Sequence, residues 1–399
     1  MQGLMNTYQP LPVKFSHGKG ALLWDTQGKE YLDAMAGIAV CALGHAHPEI
    51  TAIISDQAGK LLHTSNLFEI PHQIALAEKL TRVSGMDSIF CANSGAEANE
   101  AAFKLARLYG HEKGIESPRI IVMEKSFHGR TLATLSASGS RKAQAGFEPL
   151  VQGFVRAPYN DLRALEAILQ NDHQVVAVML EPILGEGGIH LPHPDYLPQV
   201  KSLCEQYGCL MMLDEVQTGV GRTGKFYAYQ HYDFLPDVVT TAKALGNGLP
   251  IGVCLTQGHA STLFHPGNHG STFGGNPFVT RVASAVIDII ERDGLAARAH
   301  ELGKRILSGL KKSLEGHPHV LDIRGQGLIM GVELDKPCRD FLHVALKNGL
   351  LVTVTAEQVI RILPPYIISD EQADLIVSRL VSSINAYYKE VRTHDKATT

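Results

Sequence analysis

From about residue 85 to 255, short apolar or β-branched runs alternate with longer segments of helical period, and this rhythm constrains the fold more than anything else in the chain. It predicts strands at Ser88-Ile89-Phe90-Cys91, Arg119-Ile120-Ile121-Val122-Met123, Val175-Val176-Ala177-Val178-Met179-Leu180, Leu210-Met211-Met212-Leu213 and Val238-Val239-Thr240. Strands separated by helices must cross over, so an α/β fold with a parallel sheet covered by helices is expected. Each run ends in small or polar residues: Asn93-Ser94-Gly95, Lys125-Ser126-Phe127-His128-Gly129, Glu181-Pro182, Asp214-Glu215 and Lys243. Ligands of open α/β sheets bind beyond the carboxyl ends of the strands, which predicts one crevice lined by these endings.

After Asn276-Pro277 the pattern predicts a helix over 278–291, then strands near Ile323, over 328–334 and over 359–363, forming a second, smaller α+β unit. Leu22-Leu23-Trp24-Asp25 and Glu30-Tyr31-Leu32-Asp33 predict a hairpin turned by Gly28, outside the main sheet. Forty acidic residues against 36 Lys plus Arg give a net charge of -4, which lacks the basic field that nucleic acid or anionic lipid requires. No run reaches the ~18–20 apolar residues of a membrane span, and Met1-Gln2-Gly3-Leu4-Met5-Asn6 lacks a basic region before an apolar core. A cytoplasmic chain with no membrane partner is expected. The scattered cysteines, Cys41, Cys91, Cys204, Cys209, Cys254 and Cys338, form no Cys-x-x-Cys pair and fit reduced thiols in the core.

Two motifs invite other chemistry. Gly219-Val220-Gly221-Arg222-Thr223-Gly224 matches a dinucleotide loop, and adding Lys225 gives most of a phosphate loop, so a nucleotide-binding enzyme is the rival class. Phe226 stands where a magnesium-binding Ser or Thr is needed, and no helix follows. His45-Ala46-His47 and His190-x-x-His193 lack the further ligands a metal needs, so no metal site is expected.

The stronger constellation joins Asp214, at a strand end, to Lys243, at the next. Each alone fits a cap or a surface residue. Together with an anion cup and an aromatic ring they match what pyridoxal phosphate requires: an amine to bond its aldehyde carbon, an acid to keep its ring nitrogen protonated, and phosphate anchors. Asn93-Ser94-Gly95-Ala96 supplies the cup, opening a predicted helix over 97–108 whose free N–H groups attract an anion. Phe127-His128-Gly129-Arg130 supplies an aromatic face and a guanidinium able to grip a carboxylate.

These residues resemble the class III pyridoxal-phosphate aminotransferases. The resemblance runs from Gly20-Ala21-Leu22-Leu23-Trp24-Asp25 to Arg361-Ile362-Leu363-Pro364-Pro365 and is most specific at Leu213-Asp214-Glu215-Val216-Gln217-Thr218-Gly219-Val220-Gly221-Arg222-Thr223-Gly224. It implies the type I, aspartate-aminotransferase-like fold: a mostly parallel seven-stranded sheet in a large domain over 51–277, a small domain over 278–399, and an N-terminal segment over 1–50 packing with the small one. Gly37-Ile38-Ala39-Val40 with Ala42-Leu43-Gly44-His45-Ala46-His47-Pro48 is most similar to members acting on N2-acetylornithine. The implied reaction moves the δ-amino group of that donor to 2-oxoglutarate, in arginine biosynthesis.

By the same resemblance, Lys243 is the catalytic amine and Asp214 the partner of the ring nitrogen. Gly95 and Ala96 bind phosphate, Phe127 stacks on the ring, and Gln217 lies near its phenolic oxygen. Thr272 reaches the phosphate of a neighbouring subunit, which implies a homodimer with shared sites, and Ser271 lies near substrate. Arg130 clamps the donor's carboxylate and Arg361 that of glutamate or 2-oxoglutarate, with Glu186 a movable cover over Arg361. Cys41 stands where the family usually has a polar residue. Tyr8 resembles a tyrosine that contacts ornithine in ornithine aminotransferases, and a packing role suits it equally. Ornithine, succinylornithine, succinyldiaminopimelate and 4-aminobutyrate are the alternative donors.

Overall fold

The computed structural model describes residues 3–397, with side chains to residue 390. Its central sheet has seven strands in the spatial order Ser88–Ala92, Gly252–Thr256, Val238–Thr241, Leu210–Asp214, Val175–Leu180, Arg119–Met123 and Phe154–Ala157. All five strands read from the sequence are there and run parallel; Gly252–Thr256 is antiparallel to both neighbours. That strand and Phe154–Ala157 were not among the runs read from the sequence, and Phe154–Ala157 carries Arg156 within it. In the middle of the sheet Val175–Leu180 is buried at every residue, as a strand covered by helices on both faces must be.

The helix Gly95–Glu112 buries Ala98, Ala101, Ala102, Leu105 and Ala106 and lies across the strands, its amino end at their carboxyl ends. Ser94 caps it, accepting from Glu97 N at 3.2 Å.

Two four-stranded sheets flank this layer. One holds Val320–Gln326, Ile329–Leu334, Val359–Ile362 and Thr353–Thr355, all antiparallel. The other begins with Phe15–Lys19 and the expected hairpin, Leu22–Asp25 with Glu30–Asp33, and is completed by Leu350–Leu351 from the far end of the chain. The helix predicted over 278–291 is Pro277–Arg292, and it packs on the helices Pro48–Ala58 and Pro71–Ser84.

The glycine loop that mimics a nucleotide motif is occupied with packing. Arg222 is fully buried, donates through Nη1 to Leu328 O at 3.1 Å and Pro364 O at 2.6 Å, and lies 4.5 Å from the Tyr366 ring centre. The loop therefore ties the main sheet to the smaller unit. All six cysteines are free, five of them buried. Among the described residues no helix is long and apolar enough to cross a membrane.

Candidate active site

The strand endings converge as their pattern predicted, around a cavity of about 480 Å³. Lys243, Asp214, Gly95, Ala96, Phe127, Gln217, Arg130 and Glu186 all line it. These positions span 148 residues of sequence, from 95 to 243, and only the crossover topology makes them neighbours.

Asp214 ends its strand and is 3% exposed. A buried carboxylate needs donors on both oxygens, and this one has them. Oδ2 accepts from Asn99 Nδ2 and from His128 Nδ1, each at 2.8 Å, while Oδ1 accepts from Val216 N at 3.0 Å. Asn99 is held in turn: its Nδ2 also donates to His128 O at 2.8 Å, and its Oδ1 accepts from Thr240 Oγ1 at 2.6 Å. Asp214 is thereby braced by one helix, one loop and the adjacent strand.

Lys243 follows the strand Val238–Thr241 and opens a short 3₁₀ turn with its own φ at +44°, a strained conformation for a non-glycine residue. Burial lowers its pKa and Arg361 lowers it further, against the opposing pull of Asp214 and Glu186. A larger share of the amine is therefore neutral and nucleophilic than at an exposed lysine.

Gly95 permits a close approach: a Cβ there would meet Val216 Cγ1 at 2.7 Å. Phe127 is half-buried, and its N–H donates to Glu181 Oε1 at 2.7 Å. The other oxygen of Glu181 accepts from Gly185 N at 2.9 Å, so this carboxylate joins two walls of the cavity. Burial, with the charge of Asp214 behind it, pushes the Glu181 carboxyl up. Arg130 is exposed at the rim, 5.5 Å from the Phe127 ring centre.

Beside the cavity, Arg361 is 2% exposed. Its Nη1 donates to Glu186 Oε1 at 2.5 Å and to Gln217 Oε1 at 3.3 Å, and its Nε to Thr353 Oγ1 at 3.1 Å, the residue registered opposite it in the sheet. Glu186 therefore sits on the arginine. The Glu186 backbone is pinned, with its carbonyl accepting from Thr355 Oγ1 and the following carbonyls of Gly188 and Ile189 accepting from Arg324.

Three expected site residues lie elsewhere. Tyr8 is 80% exposed and does not line the cavity. Thr272 is exposed and Ser271 half-buried; both line a neighbouring surface cleft, where Ser271 Oγ accepts from Asn93 Nδ2 at 3.2 Å. Sequence reasoning missed Asn99, His128 and Glu181 as site residues. His128 stood inside the quoted Phe-His-Gly-Arg motif, and Asn99 offered a weaker signal, an amide among the alanines of a helix's buried face.

With this geometry in view, comparison with known proteins is direct. Residues 4–384 match the family model described as Aminotransferase class-III, and the chain belongs to that family, whose members are pyridoxal-phosphate-dependent aminotransferases. An acetylornithine aminotransferase from Nitrosomonas europaea is 51% identical over 392 residues, covering 98% of this chain and 100% of that protein. One from Aquifex aeolicus is 45% identical, covering 95% and 99%. Among solved structures, an ornithine aminotransferase from Toxoplasma gondii superimposes with a TM-score of 0.94 at 35% identity, covering 98% of this chain and 94% of that one. An N-acetylornithine aminotransferase from Stenotrophomonas maltophilia gives 0.84 at 36%, covering 96% and 98%.

Proposed function

We propose that this aminotransferase moves the δ-amino group of N2-acetylornithine to 2-oxoglutarate, giving N-acetylglutamate 5-semialdehyde and glutamate, as a step of arginine biosynthesis. The observation that carries the reading is Glu186 bonded to buried Arg361 beside the cavity of Lys243. An enzyme that takes an amine from the far end of one substrate and places it beside the α-carboxylate of another needs a carboxylate clamp that can be closed and opened. The acetylornithine aminotransferases 43–51% identical to the chain support the choice of donor.

The residues suit pyridoxal phosphate. A buried acid with donors on both oxygens, an amine of lowered pKa, and a helix N-terminus approached through Gly95 stand around one cavity. When bound, the cofactor supplies a protonated ring that accepts the electron pair left on a substrate carbon. Asp214 would pair with the ring nitrogen. Gly95 and Ala96 would offer backbone N–H groups to the phosphate, Phe127 would cover the ring face, and Gln217 would donate to the phenolic oxygen. Lys243 Nζ would hold the cofactor through its aldehyde carbon and, once displaced by substrate, would carry the proton between the substrate carbon and that cofactor carbon. Arg130 binds the donor's carboxylate. Glu186 covers Arg361 while the donor is bound and leaves it when glutamate or 2-oxoglutarate enters, so the guanidinium is never buried unpaired.

In this reading the active enzyme is a homodimer, with Thr272 serving the partner's phosphate site and Ser271 near its substrate. Exposed apolar side chains near that segment, Leu67, Phe68 and Phe273, support it. Tyr8 belongs to the substrate mouth in the same assembly. In the proposed division into 1–50, 51–277 and 278–399, the packing of the first segment with the last is supported by the pairing of Leu350–Leu351 with Glu30–Asp33. Free thiols suit a cytoplasmic enzyme.

The test is kcat/KM for acetylornithine, succinylornithine, ornithine, succinyldiaminopimelate and 4-aminobutyrate with 2-oxoglutarate as acceptor. Acetylornithine is expected to lead. A higher value for free ornithine or 4-aminobutyrate overturns the assignment of donor.

A further inference from the structure

We propose that Arg361 has a second task beyond binding carboxylates: through Gln217 it orients the hydrogen bond made to the cofactor's phenolic oxygen, so that Gln217 is a positioning residue linking the clamp to the cofactor. The inference rests on the cofactor assignment above.

Arg361 Nη1 lies 3.3 Å from Gln217 Oε1, and both side chains are buried. A guanidinium has only donors, so the amide atom turned toward it is the oxygen. The amide nitrogen then belongs to the other side, makes no hydrogen bond among the described residues, and is left for the cavity that Gln217 lines. The amide has no room to leave this plane. A Cβ at Gly185 would lie 2.5 Å from Oε1 and 2.9 Å from Nε2, so the group rests flat against the Gly185 backbone. That backbone is fixed by its N–H bond to Glu181 at 2.9 Å, and the residue before Gln217 is fixed by the bond from Val216 N to Asp214 at 3.0 Å.

One amide thus has its acceptor end on a permanent cation and its donor end at the cavity. A charged donor on the carbonyl polarises the amide and strengthens donation from its nitrogen, by ~10–30% per bond in a chain. Donation to the phenolic oxygen favours the deprotonated form of the chromophore, so losing the Arg361 contact raises the pH at which the colour changes.

The experiment is a pH titration of the visible absorption band of the holoprotein, without substrate, for wild type, Arg361→Met, Gln217→Met and the double variant. Removing the arginine also removes a positive charge, which raises the midpoint directly and does so in either background. The relay predicts an Arg361→Met shift smaller by about 0.3 pH unit when Gln217 is already replaced. Equal shifts in the two backgrounds overturn it. Arg361→Lys gives a second reading should the Gln217 variant fail to fold. It keeps the charge, but its ammonium, on a shorter and differently shaped stem, is displaced from the place where Nη1 meets both Gln217 and Glu186. The relay predicts a rise of about 0.3 unit there as well, and an unchanged midpoint counts against it. A protein without a visible band at any pH refutes the cofactor assignment itself, whereas a coloured protein with additive shifts refutes the relay alone.

Discussion

The two ends of the cavity are built differently. At one end Asp214 is bonded by Asn99, His128 and Val216, groups that are themselves held by the sheet and by the helix Gly95–Glu112. At the other, Glu186 meets Arg361 through one carboxylate oxygen, across a boundary between the main sheet's loops and the small sheet. The first arrangement is over-determined, so removing one donor leaves two. The second rests on that ion pair and a long 3.4 Å bond from Thr355 Oγ1 to the other oxygen, a sparser set that suits the movable cover proposed above. The backbone is pinned by Thr355 and Arg324, so in that proposal opening is a swing of the side chain rather than of the loop.

The contrast can be broken at either end. The largest effect is expected for Lys243→Ala, which should lower transamination by about 10⁴-fold or more while circular dichroism stays native. Near-normal turnover would falsify its role. Asp214→Asn keeps the shape and removes the charge, and a loss of about 10²–10³-fold is expected in both half-reactions alike. Single-turnover kinetics with each substrate would check this, and a loss confined to one half-reaction would place Asp214 at the clamp instead.

Glu186→Ala should behave in the opposite way. It leaves Arg361 uncovered when an acylated donor binds, so that half-reaction should slow by about tenfold, with the glutamate half-reaction within about twofold of wild type. Equal losses would remove the distinction between the two ends.

The smallest effect concerns stability. Glu215 is fully buried and accepts from Ala228 N, Tyr229 N and Thr218 Oγ1, and burial pushes its pKa up to about 7 from 4.5. An acid that holds its proton more tightly when folded loses stability as pH rises from 4.5 toward 7, and nothing further above that. Glu215→Gln cannot make that loss. It should be less stable than wild type by about 1–3 kcal/mol at pH 5, because its amide faces a donor. The deficit should narrow by pH 8, as read by thermal unfolding at both values.

Much of the cofactor end was legible because its signals are local. Apolar runs ending in Asp214, Lys243 and Asn93-Ser94-Gly95 are strand-to-loop transitions, and the crossover rule sends such endings to one edge of a sheet. The brace behind Asp214 was not legible. Asn99 and His128 look like an interior helix residue and a loop residue until the fold places them 2.8 Å from the same oxygen. The strand Gly252–Thr256 was not read, and its antiparallel direction is set by pairing with Ser88–Ala92 and Val238–Thr241 rather than by its own residues. Thr272 and Ser271, read from the resemblance, lie at a surface cleft rather than in the cavity of their own chain.

By itself the amino-acid order determined the α/β layering, the strand endings that line the cavity and the family to which the chain belongs, because periodicity and strand endings are written in consecutive residues. Only the tertiary structure decided that Arg361, on an inner strand of the small sheet, lies against Glu186 and Gln217 from the large unit. Contacts between residues 144 and 175 positions apart depend on how two sheets dock, and docking is set by the sum of many buried surfaces that no single segment records.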